Sequence, residues 1–186
     1  MIILSKFNAF DNYGKEPKVK KLYNILKKSH TYVDFIPWNR KNPTHKAWYG
    51  NHEDMTPENQ TKMKFLLEHI EKYTYPYDVP IGHFWFKKYE AGEWSGLHQE
   101  KSLTWIEEDN KKWWTTIILV EKSNDLVGGE TVIAGDSIEG IRDKLVVSRL
   151  ENIGDSMTWN SETFHGLAEV TCGRRTVLVI NKPEKI

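Results

Sequence analysis

Leu97-His98-Gln99-Glu100, read together with Phe164-His165-Gly166 and the Gly173-Arg174-Arg175 run that follows, decides how the rest of the chain is read. His98 and Glu100 are two apart. On a strand successive side chains alternate faces, so this imidazole and this carboxylate project from the same side. A second histidine from a distant strand completes a two-histidine, one-carboxylate set, which holds Fe(II) and leaves half of its coordination sphere open. His165 is the candidate. A His-x-Glu triplet alone is common on solvated strand edges. Its weight here comes from the order of what lies between and after it.

Between the two halves run Trp113-Trp114-Thr115-Thr116-Ile117-Ile118-Leu119-Val120 and Gly128-Gly129-Glu130-Thr131-Val132-Ile133, both β-like. After His165 come Gly173, Arg175 and the apolar strand from Thr176 to Ile180. In this order and at similar spacing the chain, over about Gly82 to Asn181, resembles the prolyl 4-hydroxylase-like branch of the Fe(II)- and 2-oxoglutarate-dependent dioxygenases, in its compact bacterial or phage form. That family shows a tyrosine, a glycine, His-x-Asp, a Thr-containing strand, Gly-Gly, His-Gly and Gly-x-Arg or Gly-x-Lys. This chain departs from it at Glu100, which is one methylene longer than the usual aspartate. Some related dioxygenases use His-x-Glu.

The resemblance implies an α+β, mainly β fold, a double-stranded β-helix (jelly roll, cupin-like) braced by N-terminal helices. Length agrees with one domain: 186 residues are enough for a single core. The expected organisation is a single domain over 1–186, with helical support in 1–78 and the catalytic core in 79–182. Basic and acidic residues cancel at 26 each, so no global field attracts nucleic acid or an anionic membrane. Cys172 is the single cysteine, which excludes an intramolecular disulfide and a cysteine-rich zinc cluster. No apolar run approaches a membrane span or a secretory h-region. A cytoplasmic location is expected, that of the host if the chain is viral.

Apolar residues Val19, Leu22, Tyr23 and Leu26 recur at helical spacing, with lysines opposite, and predict helix one. Thr31 to Trp38 reads as a strand edged by Pro37, and the first residues as a short strand. Asn39 to Asp54 lacks a period and reads as a loop. Thr56-Pro57 has the chemistry of a helix N-terminus, and Met63, Leu66, Leu67, Ile70 and Tyr73 mark the face of helix two, ending near Tyr75-Pro76. Strands are expected at 79–90, 94–100, 113–121, 129–134, 144–150, 155–159, 164–170 and 174–181, with turns at Gly128-Gly129, Gly135-Asp136 and Gly154-Asp155.

The resemblance implies roles for particular residues. His98, Glu100 and His165 hold Fe(II), which binds 2-oxoglutarate and O2, with ascorbate as an accessory reductant. Arg175, ten residues past His165, is matched to the family's cation for the far carboxylate of 2-oxoglutarate; arginine suits that task because it is planar, permanently charged and bidentate. Alternation does not choose between Arg174 and Arg175, because both faces of this strand carry apolar residues, so the choice rests on the Gly-x-Arg match. Tyr89 resembles the tyrosine that helps hold 2-oxoglutarate, and Thr116 is a further pocket candidate, while Leu119 is apolar where relatives can carry a polar contact. Trp94 and Trp105 offer flat faces to a substrate. His30, His45, His52, His69 and His83 have no partner at ligand spacing.

Three readings follow. The first is a dioxygenase acting on a prolyl residue of a peptide or protein. The second gives the same chemistry to a free amino acid, another small molecule or a nucleobase, since a family does not identify a substrate. The third is a non-catalytic jelly-roll binding module. No membrane partner or nucleic-acid signal is read, and the sequence carries no indication of oligomeric state.

Overall fold

The computed structural model describes residues 2–6, 32–35, 45–48, 61, 67, 68, 70–72, 74–100, 112–135, 146–148 and 150–184. Their strands are β1 (Ile2–Lys6), β2 (Tyr32–Phe35), β3 (His45–Trp48), β4 (His83–Glu90), β5 (Ser95–His98), β6 (Trp113–Lys122), β7 (Val127–Gly128), β8 (Thr131–Gly135), β9 (Val146–Ser148), β10 (Asp155–Asn160), β11 (Phe164–Leu167), β12 (Val170–Cys172) and β13 (Arg174–Pro183). A seven-stranded sheet in the order β1-β10-β6-β13-β4-β3-β2 faces a four-stranded sheet in the order β5-β11-β8-β9, and β12 pairs with β7 in a separate ribbon. Every pair is antiparallel. From β4 onward the chain passes back and forth between the two sheets, which is the jelly roll expected from the sequence.

Apolar side chains from both sheets meet between them. Trp85 and Tyr89 of β4, Ile117 and Leu119 of β6, Ile133 of β8, Met157 and Trp159 of β10 and Val177 and Val179 of β13 form one buried cluster. The intervening residues of the central strands are equally buried on the other face: Phe86, Ile118, Leu178 and Ile180 are each 0 % exposed. Strands covered on both faces lose the apolar–polar alternation that marks a half-exposed strand. This is why no alternation was visible in β13.

Part of that outer cover is the end of helix two. Residues 67, 68 and 70–72 are helical, and Ile70 is fully buried. Tyr75 packs edge-on against Trp114, with ring centroids 4.7 Å apart. Beneath them the buried Lys182 ammonium donates to the carbonyls of Glu71 at 2.8 Å, Thr74 at 3.0 Å and Pro76 at 3.0 Å. Terminal helix carbonyls have no partner within the helix, and a cation there is favoured by the helix dipole.

The N-terminal third, read as helical support with a short first strand and a strand over Thr31 to Trp38, contains those two strands and one more. It adds three strands to the large sheet, β1 beside β10, and β2 and β3 beyond β4. β3 falls inside the segment 39–54 that reads as a loop. Four residues are too few to show a period, and β3 is specified by its pairing with β2 and β4 instead. Helix one, and helix two apart from residues 61, 67, 68, 70–72, 74 and 75, lie outside the described residues.

Replacing Lys182 with methionine keeps the stem and leaves three carbonyls without their donor. The expected outcome is a loss of roughly 1–3 kcal/mol, read as a lower urea midpoint with an unchanged m-value.

Candidate functional site

β11 lies between β5 and β8 in the small sheet, and its register sets His165 directly opposite His98. Close approach of β5 and β11 needs a glycine at 166: a Cβ there would sit 2.6 Å from the Ser95 carbonyl oxygen. Glu100 follows β5 by two residues and turns its carboxylate back between the rings. Its Oε1 is 3.2 Å from His165 Nε2 and 3.6 Å from His98 Nε2. One ligand atom from each of the three residues lies within 4.8 Å of the others, so His98, Glu100 and His165 form the cluster the sequence predicts.

The outer nitrogens of both rings are tied to backbone. His98 Nδ1 is 2.8 Å from the Gly96 carbonyl and His165 Nδ1 is 3.0 Å from that of Thr163. A proton on each Nδ1 satisfies these acceptors and leaves each Nε2 lone pair facing the carboxylate, the arrangement a metal ion requires. Trp159 Nε1 also reaches His165 Nδ1, at 3.1 Å. His165 therefore has a second pattern, in which Nδ1 accepts from the indole and Nε2–H is donated to Glu100.

Glu100 is 4 % exposed. Burial pushes its carboxyl up, but the polar contacts with His165 and His98, with the Lys87 charge behind them, outweigh that and hold it well below the ordinary carboxylate range. Burial pushes His165 down, the neighbouring His98 adds to this, and Glu100 opposes it. The result is a buried anion beside a His165 ring that burial drives toward its neutral form. A carboxylate in such surroundings calls for a cation, and a two-histidine, one-carboxylate donor set suits Fe(II).

The cluster opens into a cavity between the sheets with about 400 Å³ of empty space, mouth and open solvent included. Arg175 lines it from β13 and is 1 % exposed, whereas Arg174 is exposed on the other face. Of the two arginines, it is 175 that lines the cavity. Gly173, at φ +75°, makes the turn from β12 into β13. Arg175 Nη1 donates to the Gly129 carbonyl, but its Nε and Nη2 are buried with no hydrogen-bond partner among the described residues. Burial lowers its pKa to about 10, offset by Tyr89 and Glu130, so the guanidinium stays charged at neutral pH. Enclosed donors without acceptors are costly, and two on one charged group mark a place for an anion.

Tyr89 lines the cavity as predicted, 5 % exposed and opposite Arg175 in the register of β4 on β13. Thr116 does not. Its hydroxyl is 2.8 Å from that of Thr158 on the outer face of the large sheet, and the adjacent Thr115 lines the cavity instead. A shift of one residue on a strand exchanges the faces. Trp94 is half-buried and does not line the cavity; Trp105 lies outside the described residues.

Among the lining residues that were not singled out from the sequence, two stand out for their polar groups. Thr131 is 2 % exposed, and its hydroxyl has no partner among the described residues. Its signal was its place on the strand after Gly128-Gly129, and it supplies a polar group to a cavity where Leu119 is apolar. Lys87 is the other. Its signal was the two-residue step to Tyr89, which puts both on one face.

No family model and no curated protein matches the sequence. The fold, however, is shared with solved structures. An oxidoreductase of the 2OG-Fe(II) oxygenase family from Burkholderia pseudomallei superposes with a TM-score of 0.66 at 11 % identity, covering 97 % of this chain and 85 % of that one. A prolyl hydroxylase from Trichoplax adhaerens, in complex with a hypoxia inducible factor oxygen degradation domain peptide fragment, gives 0.57 at 11 % identity, covering 99 % and 83 %. A Pseudomonas putida prolyl-4-hydroxylase gives 0.54 at 11 % identity, covering 99 % and 93 %. The chain thus shares the jelly-roll fold of these oxygenases.

The Gly166→Ala variant should force β5 away from β11 and spoil the alignment of His98 with His165. The expected outcome is a 10- to 100-fold weaker Co(II) affinity, of the order seen when a ligand's supports are lost. A folded variant that binds Co(II) like the parent would show that the strand spacing is not what sets the cluster.

Proposed function

We propose that this chain is an Fe(II)- and 2-oxoglutarate-dependent dioxygenase that hydroxylates a C–H bond of a prolyl residue in a peptide or protein. One observation carries the reading: a buried arginine with unsatisfied donors shares a single cavity with the His98, Glu100 and His165 cluster. A simple metal-binding jelly roll has no use for such a buried cation. The likeness to two prolyl hydroxylases, one in complex with a peptide fragment, supports the prolyl substrate.

When bound, Fe(II) with 2-oxoglutarate and O2 supplies the oxidation, in which the cosubstrate yields succinate and CO2 and one oxygen atom enters the substrate C–H bond. His98 and His165 give their Nε2 atoms to the ion, and Glu100 gives its carboxylate. Their Nδ1 contacts to Gly96 and Thr163 fix the ring orientations. Arg175, with its unpartnered Nε and Nη2, would hold the far carboxylate of 2-oxoglutarate, and the Thr131 hydroxyl, which also has no partner among the described residues, would offer a further donor. Val177, Val179 and Ile117 keep water from the cavity walls.

Anaerobic addition of Fe(II) and then 2-oxoglutarate to the purified protein tests this. A visible charge-transfer band should appear, should be lost in Glu100→Ala, and in Arg175→Met should require about 10- to 100-fold more 2-oxoglutarate, the cost of removing one member of a buried charge pair. Release of succinate stimulated by proline-containing peptides then tests the substrate. A folded, iron-binding protein without the band overturns the dioxygenase reading.

A further inference from the structure

Resting on that reading, we propose that Thr115 recognises the primary substrate by donating a hydrogen bond to a peptide carbonyl beside the carbon to be oxidised, with Ser161 and Asn181 setting its hydroxyl for that task. The inner face of the large sheet is apolar over most of its extent, through Ile117 and Leu119 of β6, Val177 and Val179 of β13 and Met157 of β10. One row breaks this pattern. Thr115 stands opposite Asn181 on β13 and Trp159 on β10, and Ser161, two residues past Trp159, falls on the same side. Thr115 and Asn181 are 0 % exposed and Ser161 1 %, and Thr115 lines the cavity.

The hydrogen bonds of this row do not balance. Thr115 Oγ1 is 3.1 Å from Ser161 Oγ and donates to Asn181 Oδ1 at 2.8 Å. That leaves the Asn181 amide nitrogen, with two protons, buried and without a hydrogen-bond partner among the described residues. An idle buried donor is costly. Turning the amide by half a turn exchanges its two ends, and Nδ2 then donates to Thr115 Oγ1. The threonine hydroxyl now accepts from Asn181 and Ser161 together, and its own proton is released toward an acceptor in the cavity. Accepting two hydrogen bonds polarises the O–H and strengthens the one it gives. The Asn181 oxygen is left idle in exchange, which, as with backbone groups, is tolerated better than an idle N–H. The row is thus short of one acceptor, and Thr115 is where it meets the cavity.

Position assigns that acceptor to the primary substrate. Trp159, beside Thr115 in register, donates to His165 Nδ1 at 3.1 Å, so the row lies at the level of the metal ligands. Arg175 is at the other end of β13, and the six residues from it to Asn181 span roughly 20 Å of extended strand. A short diacid anchored at Arg175 fills the stretch up to the metal ligands and leaves the Thr115 row to a second ligand. Chemistry narrows the class. None of the three side chains carries a charge, so the acceptor they match is neutral, a carbonyl oxygen rather than a carboxylate. A peptide presents one such oxygen on each side of a prolyl ring.

The test uses the full chain with Fe(II) and 2-oxoglutarate, and blocked proline-containing peptides selected by stimulated succinate release. One arm alters the ligand: each amide flanking the proline is replaced in turn by an alkene isostere, which keeps the shape and removes the carbonyl. The other alters the protein, as Thr115→Val, Thr115→Ser and Asn181→Leu. Binding is read anaerobically as the peptide concentration that half-perturbs the charge-transfer band. In the parent, one of the two isosteres should bind about 10-fold or more weakly than its amide, the loss expected when a buried donor is left without its acceptor. Thr115→Val should weaken the amide peptide by a similar factor and bind amide and isostere alike, so that the two losses do not add. Thr115→Ser should restore the discrimination, and Asn181→Leu, which removes one of the two donors to the hydroxyl, should fall between. In all three the 2-oxoglutarate needed for half of the band should stay within about twofold of the parent, which general damage to the site would not allow. The inference is overturned if both isosteres bind like the amide, if Thr115→Val discriminates as the parent does, or if Thr115→Ser fails to restore. It is also overturned if Thr115→Val raises the 2-oxoglutarate requirement as Arg175→Met does, which would assign Thr115 to the cosubstrate. Should Thr115→Val not fold, isosteres that bind the parent like the amide still overturn it. A parent that forms the band but responds to no peptide overturns it together with the prolyl-peptide reading, and a parent that forms no band overturns the dioxygenase reading beneath both.

Discussion

The site depends on the antiparallel register of β11 between β5 and β8. Side chains on paired strands face each other only at matched positions, and a slip of one residue would turn His165 away from His98. Neighbours on both sides hold the register: His165 is opposite His98 on one flank and Ile133 on the other. Gly166 allows the strands to approach, because any Cβ there would meet the Ser95 carbonyl. The motif His-Gly is thus one requirement in two residues, a ligand and the absence of a side chain beside it.

A similar economy appears at Gly128-Gly129. Gly128 adopts φ +77°, and a Cβ on it would stand 2.1 Å from the Glu169 carbonyl oxygen, so only glycine admits the β7–β12 ribbon. Gly129 then donates its amide to Glu169 and offers its carbonyl to Arg175. The turn that closes the ribbon also anchors one nitrogen of the buried guanidinium. With Nη1 fixed, little side-chain entropy is left for the buried guanidinium to lose when an anion arrives.

Much of this was legible in the chain. The metal cluster was readable because its residues carry their chemistry with them: His98, Glu100 and His165 have few reasons to recur in that order. Arg175 was readable from Gly173, whose positive φ marks the turn before β13. Thr116 was misplaced because β6 is buried on both faces, so that hydrophobicity does not distinguish the side of Thr115 from the side of Thr116. β3 was missed because its existence depends on β2 and β4 rather than on its own four residues. Lys87 was passed over for a different reason. Within a lysine-rich chain its charge is unremarked, and only the inward face it shares with Tyr89 separates it from a solvated lysine such as Lys112, which is exposed.

Glu100 shows how the departure from aspartate is accommodated. Simple alternation would put residue 100 on β5, level with His98, where an extra methylene would push the carboxylate too far. β5 instead ends at His98, and residue 100 sits in a tight 3₁₀ turn beyond it. From there the glutamate side chain brings Oε1 to 3.2 Å from His165 Nε2 and 3.6 Å from His98 Nε2. Chain path and side-chain length compensate each other. An aspartate on the same backbone would fall about 1.5 Å short, one carbon–carbon bond, so a shorter carboxylate at 100 requires β5 to continue further before it turns.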